Sequence, residues 1–175
     1  MVEHVKYTIL KKIDDLEIRK YPKMIVVSTT DNQDNSAFNH LFNYISGNNK
    51  SKEKVSMTSP VISSKKIPMT SPVISKENYM AFSLPQEFNM ESAPTPTNPD
   101  VKLEEITEKI LAVIRFSGIT TEESIKKHSE ILKKRVKEEE LQVHENIMLF
   151  RYNSPFMPGF LRRNELAVEL IEYKE

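Results

Sequence analysis

The four histidines of this 175-residue chain, His4, His40, His128 and His144, each stand apart in sequence. None has a partner at the HExxH spacing that would turn two imidazoles toward one metal. Cysteine is absent, which removes disulfides, thiolate zinc sites, iron–sulfur ligation and a cysteine nucleophile together. No GxSxG elbow occurs, and three glycines leave no glycine-rich loop to cradle phosphate. No carboxylate pair is placed across a cleft by sequence alone. The expectation is a protein that is not an enzyme.

Large apolar side chains in particular settings point to binding instead. Phe38, Leu41, Phe42 and Ile45 fall on one arc at about 100° per residue, so they fit either a core face or a ligand wall. Phe156, Met157 and Phe160 stand in a loop with Pro155, Pro158 and Gly159, where bulky apolar groups are harder to bury and function is the better reading. His40 projects to the polar flank with Ser36, Asn39 and Asn43 and is a weak candidate for a metal ligand. Arg162-Arg163-Asn164-Glu165 suits either a carboxylate contact or an ion-paired start to a strand. Tyr152 and Tyr173 read as packing residues.

The elements that must position these groups follow from periodicity. Tyr7 to Tyr21 reads as two short strands turning at Asp14-Asp15, ended by Pro22. Met24 to Thr30 is a β-branched strand. A helix runs from Ser36, with Asp34 or Asn35 as N-cap and Gly47 as its stop. The segments 55–63 and 67–75 differ at two positions; proline inside each favours an edge hairpin or a bulge. Tyr79 to Leu84 is another strand, and Pro94, Pro96 and Pro99 mark a connector. Beyond it come a strand Lys109 to Phe116, a helix from Thr121 to about Glu140, and strands Ile147 to Tyr152 and Glu165 to Ile171. Thr120 with Glu123 has capping-box spacing, and Glu130 with Lys134 a favourable i,i+4 order. Strand, helix, strand, strand thus occurs twice, giving a pseudo-twofold β-α-β-β duplication of class α+β whose strands close round a common core with two flanking helices.

Composition bounds the rest. The length suits one domain, residues 1–175. Lysine plus arginine and aspartate plus glutamate both number 25, so no global field draws the chain to nucleic acid or acidic membrane. No apolar run approaches the roughly 20 residues that span a bilayer, and residues 1–10 lack a secretory apolar core. A soluble, cytoplasmic monomer is expected.

Collinear segments resemble the SOUL family of haem-binding proteins: Glu17-Ile-Arg-Lys-Tyr21, Phe42-Asn-Tyr-Ile-Ser-Gly47, Met57-Thr-Ser-Pro-Val61, Phe82-Ser-Leu-Pro85, Val101-Lys-Leu-Glu104, Val113-Ile-Arg-Phe-Ser-Gly118, and Tyr152-Asn-Ser-Pro155 before Arg162-Arg-Asn-Glu165. The resemblance implies a distorted antiparallel β-barrel flanked by two helices, like bacterial effector-binding domains. It also implies non-covalent binding of haem or a related tetrapyrrole, for buffering or transfer, with haem a ligand rather than a requirement for folding. The family's surface apolar groove lies between segments that match Asn35 to Tyr44 and Asn153 to Leu161, so Phe38, Leu41, Phe42, Phe156, Met157, Phe160 and Arg162 become the candidate site.

A tetrapyrrole is a flat apolar plate bearing two carboxylates, and asks for apolar walls with basic or hydrogen-bonding groups at one edge. Family members carry basic groups where this chain has Asn35, Asn43 and Met157, and one subgroup places an axial histidine where this chain has Lys20. Lys50, Lys52, Arg162 or Arg163 are the available substitutes. The alternative these departures favour is an effector-binding or protein-interaction module that kept the fold without haem.

Overall fold

In the computed structural model, residues 3–51, 66–67, 70–153 and 156–174 are described; the first copy of the repeated segment, 55–63, and Lys52 lie outside them. The principal strands are β1 (Thr8–Ile13), β2 (Leu16–Tyr21), β3 (Met24–Thr29), β4 (Val73–Lys76), β5 (Tyr79–Ser83), β6 (Lys102–Ile106), β7 (Lys109–Ser117), β8 (Val143–Arg151) and β9 (Arg163–Leu170). Helix α1 is Asp34–Ile45 and α2 is Glu122–Glu138. The class is α+β with antiparallel ladders between these strands, and β3-α1-β4-β5 and β7-α2-β8-β9 repeat one order. Contacts divide the chain into two compact units that do not follow the repeat, since β4 is taken into the second.

The first unit comprises Met1–Val5, Met24–Ser71 and Glu77–Ile106. Its ladder runs β6-β3-β5, with Glu104 opposite Val26 and Val27 opposite Phe82. Helix α1 lies on β3 and β5 and buries Ala37, Leu41, Tyr44 and Ile45. The Tyr44 hydroxyl donates to the Pro94 carbonyl at 2.7 Å, tying the helix to the proline connector. Neither Asp34 nor Asn35 caps the helix: Gln33 holds that position without a side-chain bond, and the Asp31 carboxylate accepts the Gln33 amide at 2.9 Å one step earlier. At the other end Gly47, at φ 116°, supplies the left-handed exit that glycine adopts without a Cβ penalty.

The second unit comprises Lys6–Lys23, Pro72–Lys76 and Thr107–Glu175, with strand order β4-β8-β9-β7-β2-β1. Side chains alternate across a strand, and this sheet uses its two faces differently. Leu16, Ile18, Ala112, Ile114, Phe116, Leu166, Val168 and Leu170 form one apolar core with Leu132 and Val136 of α2. Glu17, Arg19 and Tyr21 of β2 and Glu165 of β9 carry the alternate positions. The α2 cap is Thr121, whose hydroxyl oxygen accepts the Ser124 amide at 3.1 Å, one residue beyond the expected Thr120; capping requires the extended backbone that Thr121 has at ψ 158°. Lys134 pairs with Glu138 at 3.7 Å. In the described part of the second repeat copy, Pro72, Val73, Ile74 and Ser75 are all buried. It is thus an interior segment broken at proline and not an exposed edge.

Glu165 is fully buried and is surrounded by donors. Arg19 reaches its two oxygens at 2.7 and 3.1 Å, Arg163 reaches one at 2.6 Å, and the Tyr152 hydroxyl donates to the other at 2.7 Å. Burial alone would push this carboxyl up; the Arg19, Arg163 and Tyr152 donors outweigh that and hold it below its ordinary range. Arg19, itself buried, also binds Glu17 and the Tyr21 hydroxyl and lies over the Tyr7 ring at 4.2 Å. Burial pushes the Tyr21 phenol up to about 12, with Arg19 pulling it back in part, so it stays protonated at neutral pH.

Removing the carboxylate leaves Arg19 buried without its main partner, so Glu165→Gln should lower unfolding free energy by about 3–5 kcal/mol in urea titration. The folded-state value lies below the ordinary 4.5, so the stabilisation is complete above that pH and is lost as pH falls through the folded value. The stability gap between wild type and variant should therefore be constant near neutrality and narrow in acid.

Candidate functional site

From β5 to α1 three aromatic rings step from core to surface. Phe82 of β5 is buried, Phe38 meets it edge-on at 5.3 Å, and Phe42 stacks on Phe38 with centroids 6.0 Å apart and planes 13° from parallel. Phe42 is 46% exposed. Its i,i+4 spacing from Phe38 produces the stack, and the interior of the first unit holds that stack through Phe82. Leu41, by contrast, is wholly buried; it belongs to the core and offers no surface to a ligand. Asn35 and Asn43 are exposed beside this helix surface.

In the second unit the loop between β8 and β9 carries Phe156 at 96%, Phe160 at 77% and Leu161 at 58% exposure, with Met157 half-buried. The loop is fixed at both ends by Glu165. Tyr152 precedes it and Arg163 follows it; both bind that carboxylate, and the Arg163 guanidinium lies 4.1 Å over the Tyr152 ring. The Arg163 amide donates to Asn153 Oδ1 at 2.6 Å, and Arg162 Nε donates to the Met157 carbonyl at 2.9 Å, closing the loop on itself. Arg163 is thus an anchor of the loop, the ion-paired strand start among the two expected readings. Leu161 was not anticipated, although it shares the Pro/Gly setting that singled out Phe160.

The polar candidates are engaged elsewhere. His40 Nδ1 lies 2.7 Å from the Asn98 amide nitrogen, while Nε2 has Ser36 Oγ at 3.3 Å and Asp31 Oδ2 at 3.4 Å. With both ring nitrogens occupied, His40 does not fit an axial ligand. His128 stacks on Phe116 at 4.1 Å and its Nδ1 lies 2.7 Å from the Ser124 carbonyl. Lys20 pairs with Glu108 at 2.9 Å. Burial, with Tyr21 and Glu165 nearby, drives the Tyr152 phenol far up, so it serves as a donor and not as a base. No group of three or more histidine, aspartate or glutamate side chains among the described residues could hold a metal. A cleft of about 380 Å³ in the second unit, between the β1–β2 hairpin and the end of α2, is lined by none of the candidate residues.

Exposed aromatic surface thus lies on α1 in the first unit and, separately, on the β8–β9 loop in the second. Separating core from surface on α1 is direct: Leu41→Ala should cost about 2–5 kcal/mol of stability, whereas Phe42→Ala should cost under about 1 kcal/mol, both read from thermal or urea unfolding.

The family model for the SOUL heme-binding protein matches residues 2–169. No curated protein matches the chain. Among solved structures, a hydrolase from Listeria innocua is similar over 92% of this chain and 94% of its own, with a TM-score of 0.55 and 13% identity; at that identity the likeness concerns the fold alone. With the family match covering nearly the whole chain, the protein belongs to the SOUL heme-binding protein family.

Proposed function

We propose that this protein binds haem or a related tetrapyrrole non-covalently, for buffering or transfer, as a cytoplasmic monomer without catalysing a reaction. The observation that carries the reading is the exposure of Phe42 on α1 and of Phe156 and Phe160 on the β8–β9 loop in a chain of this family. Each surface by itself offers exposed aromatic rings to a flat apolar plate, since covering them removes water from both partners. Phe38 supports Phe42 from below, Met157 and Leu161 add to the loop surface, and Arg162 is the nearest cation in sequence for a propionate. Binding then rests on ring contacts, with no histidine of this chain assigned to the iron.

A second reading is an effector-binding or protein-interaction module. It draws on exposed Asn35 and Asn43, which offer hydrogen bonds where charge would favour a propionate, and on the engagement of His40.

Hemin titration of purified apo-protein in the Soret region separates the two, with an unrelated soluble protein as control. The expected result is a saturable one-to-one transition, weakened about tenfold or more by Phe42→Ala or by Phe156→Ala, whichever surface holds the plate. Uptake equal to the control would reject the tetrapyrrole reading. Saturable uptake unchanged in both variants would reject these residues.

A further inference from the structure

We infer that the turn 117–120 forms part of the ligand surface, with Ile119 both extending and positioning the β8–β9 loop; this rests on the tetrapyrrole reading. Among the described residues the exposed large apolar side chains are Ile9, Phe42, Met90, Ile119, Phe156, Phe160, Leu161 and Ile171. Half of these belong to two segments of the second unit, the turn after β7 and the loop before β9, and those segments are joined.

The joint is made at Gly118, Ile119 and Gly159. A Cβ placed on Gly159 would stand 2.6 Å from Ile119 Cγ1 and 3.0 Å from Cδ1; the first is closer than real Cβ atoms come, so the Ile119 side chain or the loop would have to shift. The missing side chain lets Ile119 lie flush on the loop backbone. Gly118, at φ 117°, turns the chain there; its amide donates to the Arg162 carbonyl at 3.3 Å, and its carbonyl accepts a hydrogen bond from Nδ2 of the buried Asn164 side chain at 2.8 Å. Within the loop, the Leu161 amide donates to Pro158 at 3.0 Å and the Arg162 amide to Gly159 at 3.1 Å. Ile119 thus follows a glycine bonded to the start of β9 and lies against Gly159, while 59% of its surface faces water. An aliphatic side chain laid over bare backbone next to exposed Phe160 and Leu161 gives a broad apolar floor, the shape a planar macrocycle can cover.

The test is a mutant cycle of Ile119→Ala, Gly159→Ala and the double variant, measured by hemin titration and by amide hydrogen exchange of the apo-proteins at Leu161 and Arg162. Ile119→Ala should weaken hemin binding about fivefold. Gly159→Ala should weaken it as well and speed exchange at both amides. The double variant should regain slow exchange, because the clash is gone, while hemin stays weak; the two substitutions are then non-additive. Wild-type affinity and exchange in Ile119→Ala, or additive effects in the double variant, would overturn the inference. Wild-type protein that takes up no more hemin than an unrelated control would instead overturn the tetrapyrrole reading, and with it the ligand role of Ile119; the exchange rates decide the positioning role independently.

Discussion

A carboxylate with no access to water must have its charge met by donors, and in this protein that constraint falls on Glu165. Its partners come from three places in the chain: Arg19 on β2, Tyr152 at the end of β8, and Arg163 beside it on β9. Meeting the demand brings distant strands into one register and fixes which residues of β2 face which side. The period of two then does the rest: Leu16 and Ile18 go beneath α2, and Glu17, Arg19 and Tyr21 go to the opposite face. A slip of one residue along β2 would exchange the two sets and put Arg19 into the apolar core.

The same carboxylate is the base of the exposed loop. Tyr152 and Arg163 bracket residues 153–162 and converge on one side chain, so the closing of the loop is paid for by a buried polar network. Loops that display apolar groups to water gain nothing locally from doing so. Here the cost is offset at the loop's ends, while Phe156 and Phe160 stay exposed. On α1 the corresponding device is a stack: Phe82 fixes Phe38, and Phe38 fixes Phe42. In both places a buried interior holds an apolar surface outward.

Much of this was legible in the residues because it is written in local patterns. The helical arc of Phe38, Leu41, Phe42 and Ile45, the Asp14-Asp15 turn, and the repeated strand, helix, strand, strand order are functions of neighbours within a few positions. What escaped has a physical reason in each case. Strand β6 carries a half-exposed pattern with no clear alternation, so the proline connector beside it dominated the reading. Thr120 and Thr121 are both capable caps, and only backbone dihedrals choose between them. The arc on α1 says that four residues share a face, yet the division into buried Leu41 and half-exposed Phe42 depends on where β3 and β5 end beneath the helix.

The sequence by itself determined the class of fold, the family, the absence of thiol chemistry and the apolar character of the β8–β9 loop, because composition, periodicity and collinear motifs are properties of the chain read in order. The tertiary structure decided the rest: that Arg19 serves Glu165 across 146 positions, that His40 meets Asn98 across 58, and that Ile119 lies on Gly159. Those are meetings between residues far apart in the chain, and no local spacing encodes them; they exist only once strand pairing has brought the partners within reach.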